Sequence, residues 1–316
     1  MTVSQMSDLL VLPLALAIDL VLGEPPNPVH PVVWMGNLIG LLMKAPVYDN
    51  RSRSFQFVYG LGVVLFTVGL FGAGAFFLLT FLKSLSVIVY IIVAAILLKT
   101  AFSVKALRQA ALKVKDVLVA DKLLEARSAV RALVGRDTAT LDSGQVVSAT
   151  VESVAENGTD SYVAPLFYFV FLGVPGALAY RAVNTLDNSI GFRGKYEYLG
   201  KFAARLDDVA NFIPARITAL MFVLAAWIFR MDAGGARQVM LRDHGKTASP
   251  NGGWTMGAMA GALGVRLEKP GHYSLGDASN LLTPDTVNAS LRIVALMVVV
   301  WTVLVLAGRL GYYAAT

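Results

Sequence analysis

The sequence predicts an all-α fold. A single integral membrane domain would cover residues 1–316, polytopic and helical, with about five or six membrane segments and helical loops on the cytoplasmic side. Two observations carry this. Apolar residues make up 56% of the chain and charged residues only 15%, with a mean hydropathy of +0.63, whereas soluble domains carry about 25% charged residues. The apolar excess is also gathered into long runs, the mark of segments that cross lipid.

The elements follow in chain order. Leu9–Leu22 is a short apolar run interrupted by Asp19. It lacks a preceding basic stretch and a small-residue cleavage site, so it is expected to be retained rather than removed as a leader. Residues 18–40, "IDLVLGEPPNPVHPVVWMGNLIG", hold Pro25, Pro26, Pro28 and Pro31, which predict an ordered non-helical loop around His30. Phe55–Leu82 and Leu291–Gly308 are each long enough to cross a core of ~30 Å at 1.5 Å per residue. Ser84–Leu98 and Ile213–Phe229 are shorter and need tilted neighbours or local thinning to cross. Tyr162–Tyr180 contains Pro165, Gly173, Pro175 and Gly176 and reads as a broken helix or a re-entrant segment.

Residues 99–136 differ in kind. Apolar positions at helical spacing with basic residues between them predict an amphipathic cytoplasmic hairpin inserted in the membrane domain, broken near Asp121 as an N-cap and stopped at Gly135. With six spans and the N-terminus outside, the inside loops 23–54, 99–162 and 230–289 hold 18 Lys and Arg against 7 outside, the bias expected of cytoplasmic loops. Five of those seven lie in 181–212, whose polar residues resemble those of the inside loops. The protein is therefore expected in the inner (cytoplasmic) membrane, multi-pass, with its site facing the cytoplasm. The net charge of +6 comes without a basic patch interleaved with aromatics, so no nucleic-acid partner is expected. The absence of cysteine excludes disulfides and thiolate metal sites.

Four polar islands exceed what a scaffold needs. Asp19 in an apolar run costs about 2.5–3.5 kcal/mol on insertion scales and calls for a compensating partner. His30 beside it is a hydrogen-bonder or a ligand. In "VESVAENGTD", Glu152 and Glu156 stand four apart on one helix face, where like charges repel, and Asn157 and Asp160 follow. A solvated face is the plain alternative; an Mg²⁺ or amine site uses the same residues, since Mg²⁺ takes one or two carboxylates, water and substrate phosphate. Asp137 is most simply a cap. In 180–220, Arg181, Asn184 and Asp187 share a face, and Asp207, Asp208 and Asn211 repeat the idea with Arg216 beyond. Structural ion pairs are the alternative there. "SPNGG", with Ser249 and Asn251, is a turn opening a small-residue helix whose N-terminus suits an anion. No P-loop, H-E-x-x-H or G-x-S-x-G occurs.

The strings "DLVLGEPPNPVHPVVWMGNLIG", "GRDTATLD", "VESVAENGTDSYVAPLFY", "AYRAVNTLDNSIGFRGKYEYLGKFAARLDDVANFIPARITAL" and "RDHGKTASPNGGWTMGAMAGALGVRL" resemble the adenosylcobinamide-phosphate synthase family of cobalamin biosynthesis. The resemblance runs from about residue 13 to 275, with departures at Asn188-Ser189 and after Arg242-Asp243. It implies a membrane ligase that joins adenosylcobyric acid to aminopropanol or its O-phosphate, giving adenosylcobinamide or its phosphate, with ATP and Mg²⁺. The corrinoid and the amino alcohol are substrates, the lipid bilayer is a partner, and an oligomer is allowed. For such a ligation the residue chemistry, rather than the resemblance, makes Glu152, Glu156, Asp187 and Asp207 the expected catalytic residues. Asp19, His30, Asn157, Asp160, Arg181, Asn184, Asn211, Arg216, Ser249 and Asn251 are expected to bind substrate or nucleotide, and Glu156, Asp187 and Asp208 to hold metal. Loop 181–212 is expected to join the site of loop 135–160. The rival from another class is a transporter of a corrinoid or another anion, which intramembrane charge and broken segments also suit.

Overall fold

A computed structural model describes residues 3–44, 48, 51–192, 194 and 196–315. Its elements are α1 (Val3–Val21), α2 (Pro31–Leu42), α3 (Arg53–Leu85), α4 (Val87–Ala101), α5 (Lys105–Val119), α6 (Leu123–Val130), α7 (Ser143–Gly158), α8 (Ala164–Ile190), α9 (Lys201–Ala210), α10 (Phe212–Ile228), α11 (Ala233–Asp243), α12 (Gly252–Leu263) and α13 (Pro284–Ala315). A two-stranded antiparallel hairpin, β1 (Leu267–Lys269) with β2 (Tyr273–Leu275), pairs Leu267 with Leu275. The protein is thus an all-α polytopic membrane protein. Among the described residues, four helical stretches are long and apolar enough to cross a membrane: Arg53–Leu85, Val87–Val119, Ser143–Ile190 and Pro284–Ala314. Counting α9 and α10, consecutive across Asn211, as one bent span makes five.

Local chemistry sets the boundaries. Ser52 Oγ accepts from Phe55 N at 3.2 Å and starts α3. Asp142 and Gln145 form a reciprocal capping box at the start of α7. Asp232 caps α11, and Gly264 at φ 63° closes α12. The proline loop is ordered as expected: Asn27–Val29 form a 3₁₀ turn, and His30 Nδ1 accepts from Val32 N at 3.1 Å as the cap of α2. Two expectations in the amphipathic segment need correction. Asp121 is not an N-cap; it takes a left-handed φ of 58° in the turn, and Lys122 precedes α6. Gly135 does not stop α6, which ends at Val130, because a turn over residues 131–133 intervenes.

The segment Tyr162–Tyr180 is broken, as predicted. A π turn covers Thr159–Val163, and α8 is interrupted at Gly173, whose φ of 66° and ψ of −158° belong to a region essentially reserved for glycine. Trp301 Nε1 donates to Val163 O at 3.1 Å and Tyr162 OH pairs with Thr302 Oγ1 at 2.6 Å, so α13 side chains satisfy polar groups at the π turn where no water would reach.

The chain divides into two compact units. The first comprises residues 1–103, 164–210 and 304–316. Here α1 and α4 run parallel, because Asp8 meets Tyr90 near their starts and Asp19 meets Lys99 near their ends. The α3 helix runs the other way, bringing Lys83 to Asp8. The second half of α8 reaches the Asp19 end, where Leu186 and Ile190 pack with Ile39, Met43, Val63 and Leu199. Arg181, Asn184, Asp187 and Asp207 thus lie at the end of the unit that also holds the His30 loop. The second unit comprises residues 104–163 and 211–303. The α5–α6 hairpin packs Val114, Ala126 and Val130 against Val146 and Ala149 of α7. The α12 helix is buried along nearly its whole length and lies against α11 through glycine. A Cβ at Gly261 would fall 2.2 Å from Gly235 O.

Candidate functional site

In the first unit the polar residues form two groups. Asp19 and Lys99 are 0% and 1% exposed, with Lys99 Nζ 3.1 Å from Asp19 Oδ1 and 2.7 Å from Glu24 Oε2. Glu24 also accepts from Ser103 Oγ at 2.6 Å and pairs with His30 Nε2 at 3.1 Å. Burial pushes the Glu24 carboxyl up, but the hydrogen bonds from His30, Lys99 and Ser103 outweigh it, and the group is held at about 2. The compensating partner that Asp19 needs is therefore Lys99. In the second group, Arg181 Nη1 donates to Asn184 Oδ1 at 3.2 Å, and Asn184 Nδ2 donates to Asp207 Oδ1 at 3.4 Å. Asn184 is buried and links the two predicted faces. Asp207 and Asp208 diverge: Asp208 lies 3.7 Å from Arg205, one turn before it. Asp187 sits against the chain at Gly191, where a Cβ would fall 2.0 Å from its Oδ1.

In the second unit the helix α7 presents two glutamates in opposite circumstances. Glu152 is 5% exposed. Its Oε1 accepts from Ser148 Oγ at 2.7 Å and lies 3.4 Å from Arg136 Nη2, while Oε2 accepts from Tyr273 OH at 2.7 Å. Ser148 Oγ in turn accepts from Glu268 N at 2.9 Å, so the β-hairpin is tied to α7 through this carboxylate. Burial and the Glu152 charge push the Tyr273 phenol up, keeping it a donor. Glu156, one turn later, is exposed. Its Oε1 lies 3.3 Å from where a Cβ on Gly252 would stand, so it approaches the first turn of α12 closely at a glycine. The like-charge repulsion expected between the pair is met by Arg136 on Glu152.

The start of α12 is unusual. Asn251 precedes it without capping it; its Oδ1 accepts instead from Arg216 Nη1 at 3.2 Å. The Asn251 side chain thus leaves the first-turn N–H groups to other acceptors, and the macrodipole favours negative charge there. The Arg216 guanidinium stands over the Phe212 ring at 3.5 Å and the Trp254 ring at 4.7 Å, and the His244 ring lies against Trp254, centroids 4.3 Å apart and planes tilted by 35°. A Cβ at Gly253 would fall 2.2 Å from His244 O, so the turn closes tightly on α12. Ser249 shapes this turn: its Oγ accepts from Asn251 N and its carbonyl from Thr247 Oγ1. Next to it Asp243, fully buried, is bound by Arg242 at 2.8 and 2.9 Å, by Lys246 and by Gly276 N. Arg242 in particular holds its carboxyl well below the usual range.

The remaining predicted residues take mainly local partners. Asn157 Nδ2 donates to Ser153 O, and Ser161 donates to Asn157 Oδ1. Asp160 is half-buried in the π turn, and Asn211 is buried at the start of α10. Asp137 accepts from Ala139 N at 3.0 Å, a turn cap as expected. Among the described residues no three His, Asp or Glu side chains converge as a metal site. The sequence reading missed Glu24, Lys99, Ser103, Ser148, Tyr273 and Trp254 as site candidates. Lys99 had a signal, a lone cation closing the apolar run "IIVAAILLK" and matching the lone Asp19. Tyr273 had none, since a hairpin 121 residues away delivers it.

The model of the family described as CobD/Cbib protein matches residues 12–305. The chain is 51% identical over 299 residues to a protein of Dehalococcoides mccartyi named cobalamin biosynthesis protein CobD, covering 95% of this chain and 96% of that one. It is 41% identical over 299 residues to a probable cobalamin biosynthesis protein CobD of Methanothermobacter thermautotrophicus, covering 94% and 96%. It is 38% identical over 260 residues to the Photorhabdus laumondii protein of that name, covering 82% of each. No solved structure matches.

Proposed function

Starting from the fact that this chain belongs to the CobD/Cbib family, with a role in cobalamin biosynthesis, we propose that it forms an amide bond between adenosylcobyric acid and aminopropanol or its O-phosphate, at the expense of ATP. One observation carries the reading: Glu156 is an exposed carboxylate beside the first turn of α12, at the N-terminal end of which Arg216 meets Asn251. A carboxylate is a poor acylating agent at neutral pH. In the proposed sequence its oxygen attacks the terminal phosphorus of ATP and ADP leaves. The amine nitrogen then attacks the acyl carbon, phosphate leaves with the bonding pair, and the nitrogen gives up its proton.

The chain's groups divide this work. The α12 N-terminus and Arg216 attract phosphate oxygens, the guanidinium being held by two aromatic faces and Asn251. Glu156 holds the ammonium and takes its proton. Glu152, engaged by Arg136, Ser148 and Tyr273, positions α7 so that Glu156 faces the turn. Arg181, Asn184, Asp187 and Asp207 in the other unit are proposed for the nucleotide or corrinoid. Mg²⁺ fits the oxygen donors that each unit presents, Glu156 in one and Asp187 and Asp208 in the other. An ion that uses one or two carboxylates and keeps its waters needs no three-carboxylate cage. When bound it offsets triphosphate charge.

The test is Glu156→Gln in purified protein. It is expected to insert and purify like the parent and to lose ADP formation that depends on corrinoid acid and amine. Parental activity in a well-folded Glu156→Gln overturns this assignment.

A further inference from the structure

The end of the first unit opposite His30 holds a cavity. It is about 200 Å³ in volume and lined by Asp8, Lys83, Tyr90, Phe169, Gly173 and Arg309 among others. Along α1, Asp8 lies 11 residues before Asp19, roughly 16 Å at 1.5 Å per residue. Along α8, Gly173 lies 14 residues before Asp187, with the same sense. The cavity is therefore remote from both polar groups of this unit described above.

Its charges do not balance internally. Asp8 is matched by Lys83 at 2.9 Å and accepts from Tyr90 OH at 2.5 Å and Tyr313 OH at 3.1 Å. Among the described residues Arg309 has only neutral hydrogen-bond acceptors: Phe169 O at 3.0 Å and the hydroxyl of Tyr313, with the Phe169 and Tyr313 rings under its guanidinium. Its Nε is buried and has no hydrogen-bond partner among the described residues. The cluster thus carries one net positive charge, and one cationic donor lacks an acceptor in a place where an unmet donor is costly.

The backbone at the cavity is also broken. Gly173 leaves helical geometry and Pro175 has no N–H, so the α8 ladder is interrupted beside Arg309. Phe76 and Leu172 line the cavity and are exposed, and Phe77, Phe81 and Phe171, close to them in sequence, are exposed too, as suits side chains that face lipid tails. Lys83 and Arg309 stand near the ends of apolar helices, and Tyr90, Tyr312 and Tyr313 accompany them, the composition of a membrane–water interface.

We infer that this cavity binds a singly charged oxyanion, the phosphodiester of a phospholipid headgroup, with Arg309 as its principal cation and acyl chains along the Phe76–Leu172 rim. A small soluble anion shares the oxyanion chemistry but makes no use of that rim.

The test uses the full chain, delipidated in detergent, with phosphatidylglycerol and inorganic phosphate titrated separately and bound ligand counted by native mass spectrometry. The parent is expected to retain one phosphatidylglycerol, with affinity reduced at least ~10-fold in Arg309→Gln and inorganic phosphate binding far more weakly. Leu172→Trp fills the cavity without touching its charge, and it is expected to lose the lipid too. That keeps the test decisive if Arg309→Gln fails to fold. Equal retention by the parent and a folded variant overturns the site. Phosphate binding as tight as lipid binding overturns the lipid assignment.

Discussion

Glu152 and Glu156 show how one turn of helix separates two roles. Glu152 is enclosed by a cation, a phenol and a hydroxyl, so its removal acts first on stability. Glu152→Ala is expected to lower stability by about 3 kcal/mol, since it strands a partly buried cation and a buried donor, read as a drop in the midpoint of thermal unfolding in detergent. Glu156→Gln is expected to leave that midpoint close to the parent's and to abolish turnover. Glu24 supplies a pH signature. Its folded carboxyl sits at about 2 against an ordinary 4.5, so its contribution is complete above about pH 4.5 and is lost as pH falls towards 2. The stability difference between the parent and Glu24→Gln should be constant from pH 7 to 5 and shrink below that. A difference that widens on acidification contradicts the assignment. The Glu152/Glu156 spacing was legible in sequence because four residues fix a shared face. Which of the two is enclosed and which exposed was not, because Tyr273 reaches Glu152 through a hairpin far along the chain.

At the scale of elements, apolar runs read well because their length is set by the bilayer and needs no partner. Phe55–Leu82 and Leu291–Gly308 lie inside α3 and α13. The break in Tyr162–Tyr180 was equally legible, since Gly173 and Pro175 act on their own backbone. Turns between amphipathic helices read worse. Asp121 looked like a cap, yet the turn places it in left-handed geometry, where asparagine and aspartate are tolerated. The hairpin α5–α6 provides a topological check. Ser128 is exposed on α6, and the chain has no cysteine, so Ser128→Cys carries a single thiol. In intact cells it is expected to stay unlabelled by an impermeant maleimide and to react after permeabilisation. Labelling from outside reverses the proposed orientation.

For the whole molecule, composition and hydropathy were enough for an all-helical membrane protein, because lipid leaves few other solutions for the backbone. The sorting of helices into two units built from discontinuous segments was not legible, since no local pattern records which distant helices pack together. The polar strings signalled the family, and the family model and relatives agree with them. The proposed reaction rests on Glu156 and the α12 turn. The measurement that bears on it most directly is product and ADP formation by purified protein given ATP, Mg²⁺, adenosylcobyric acid and the amino alcohol or its phosphate. ADP and amide product are expected to appear together, one for one, and only when acid and amine are both present. Corrinoid uptake into liposomes with no covalent product, or ATP consumption indifferent to the amine, would contradict the proposed ligation.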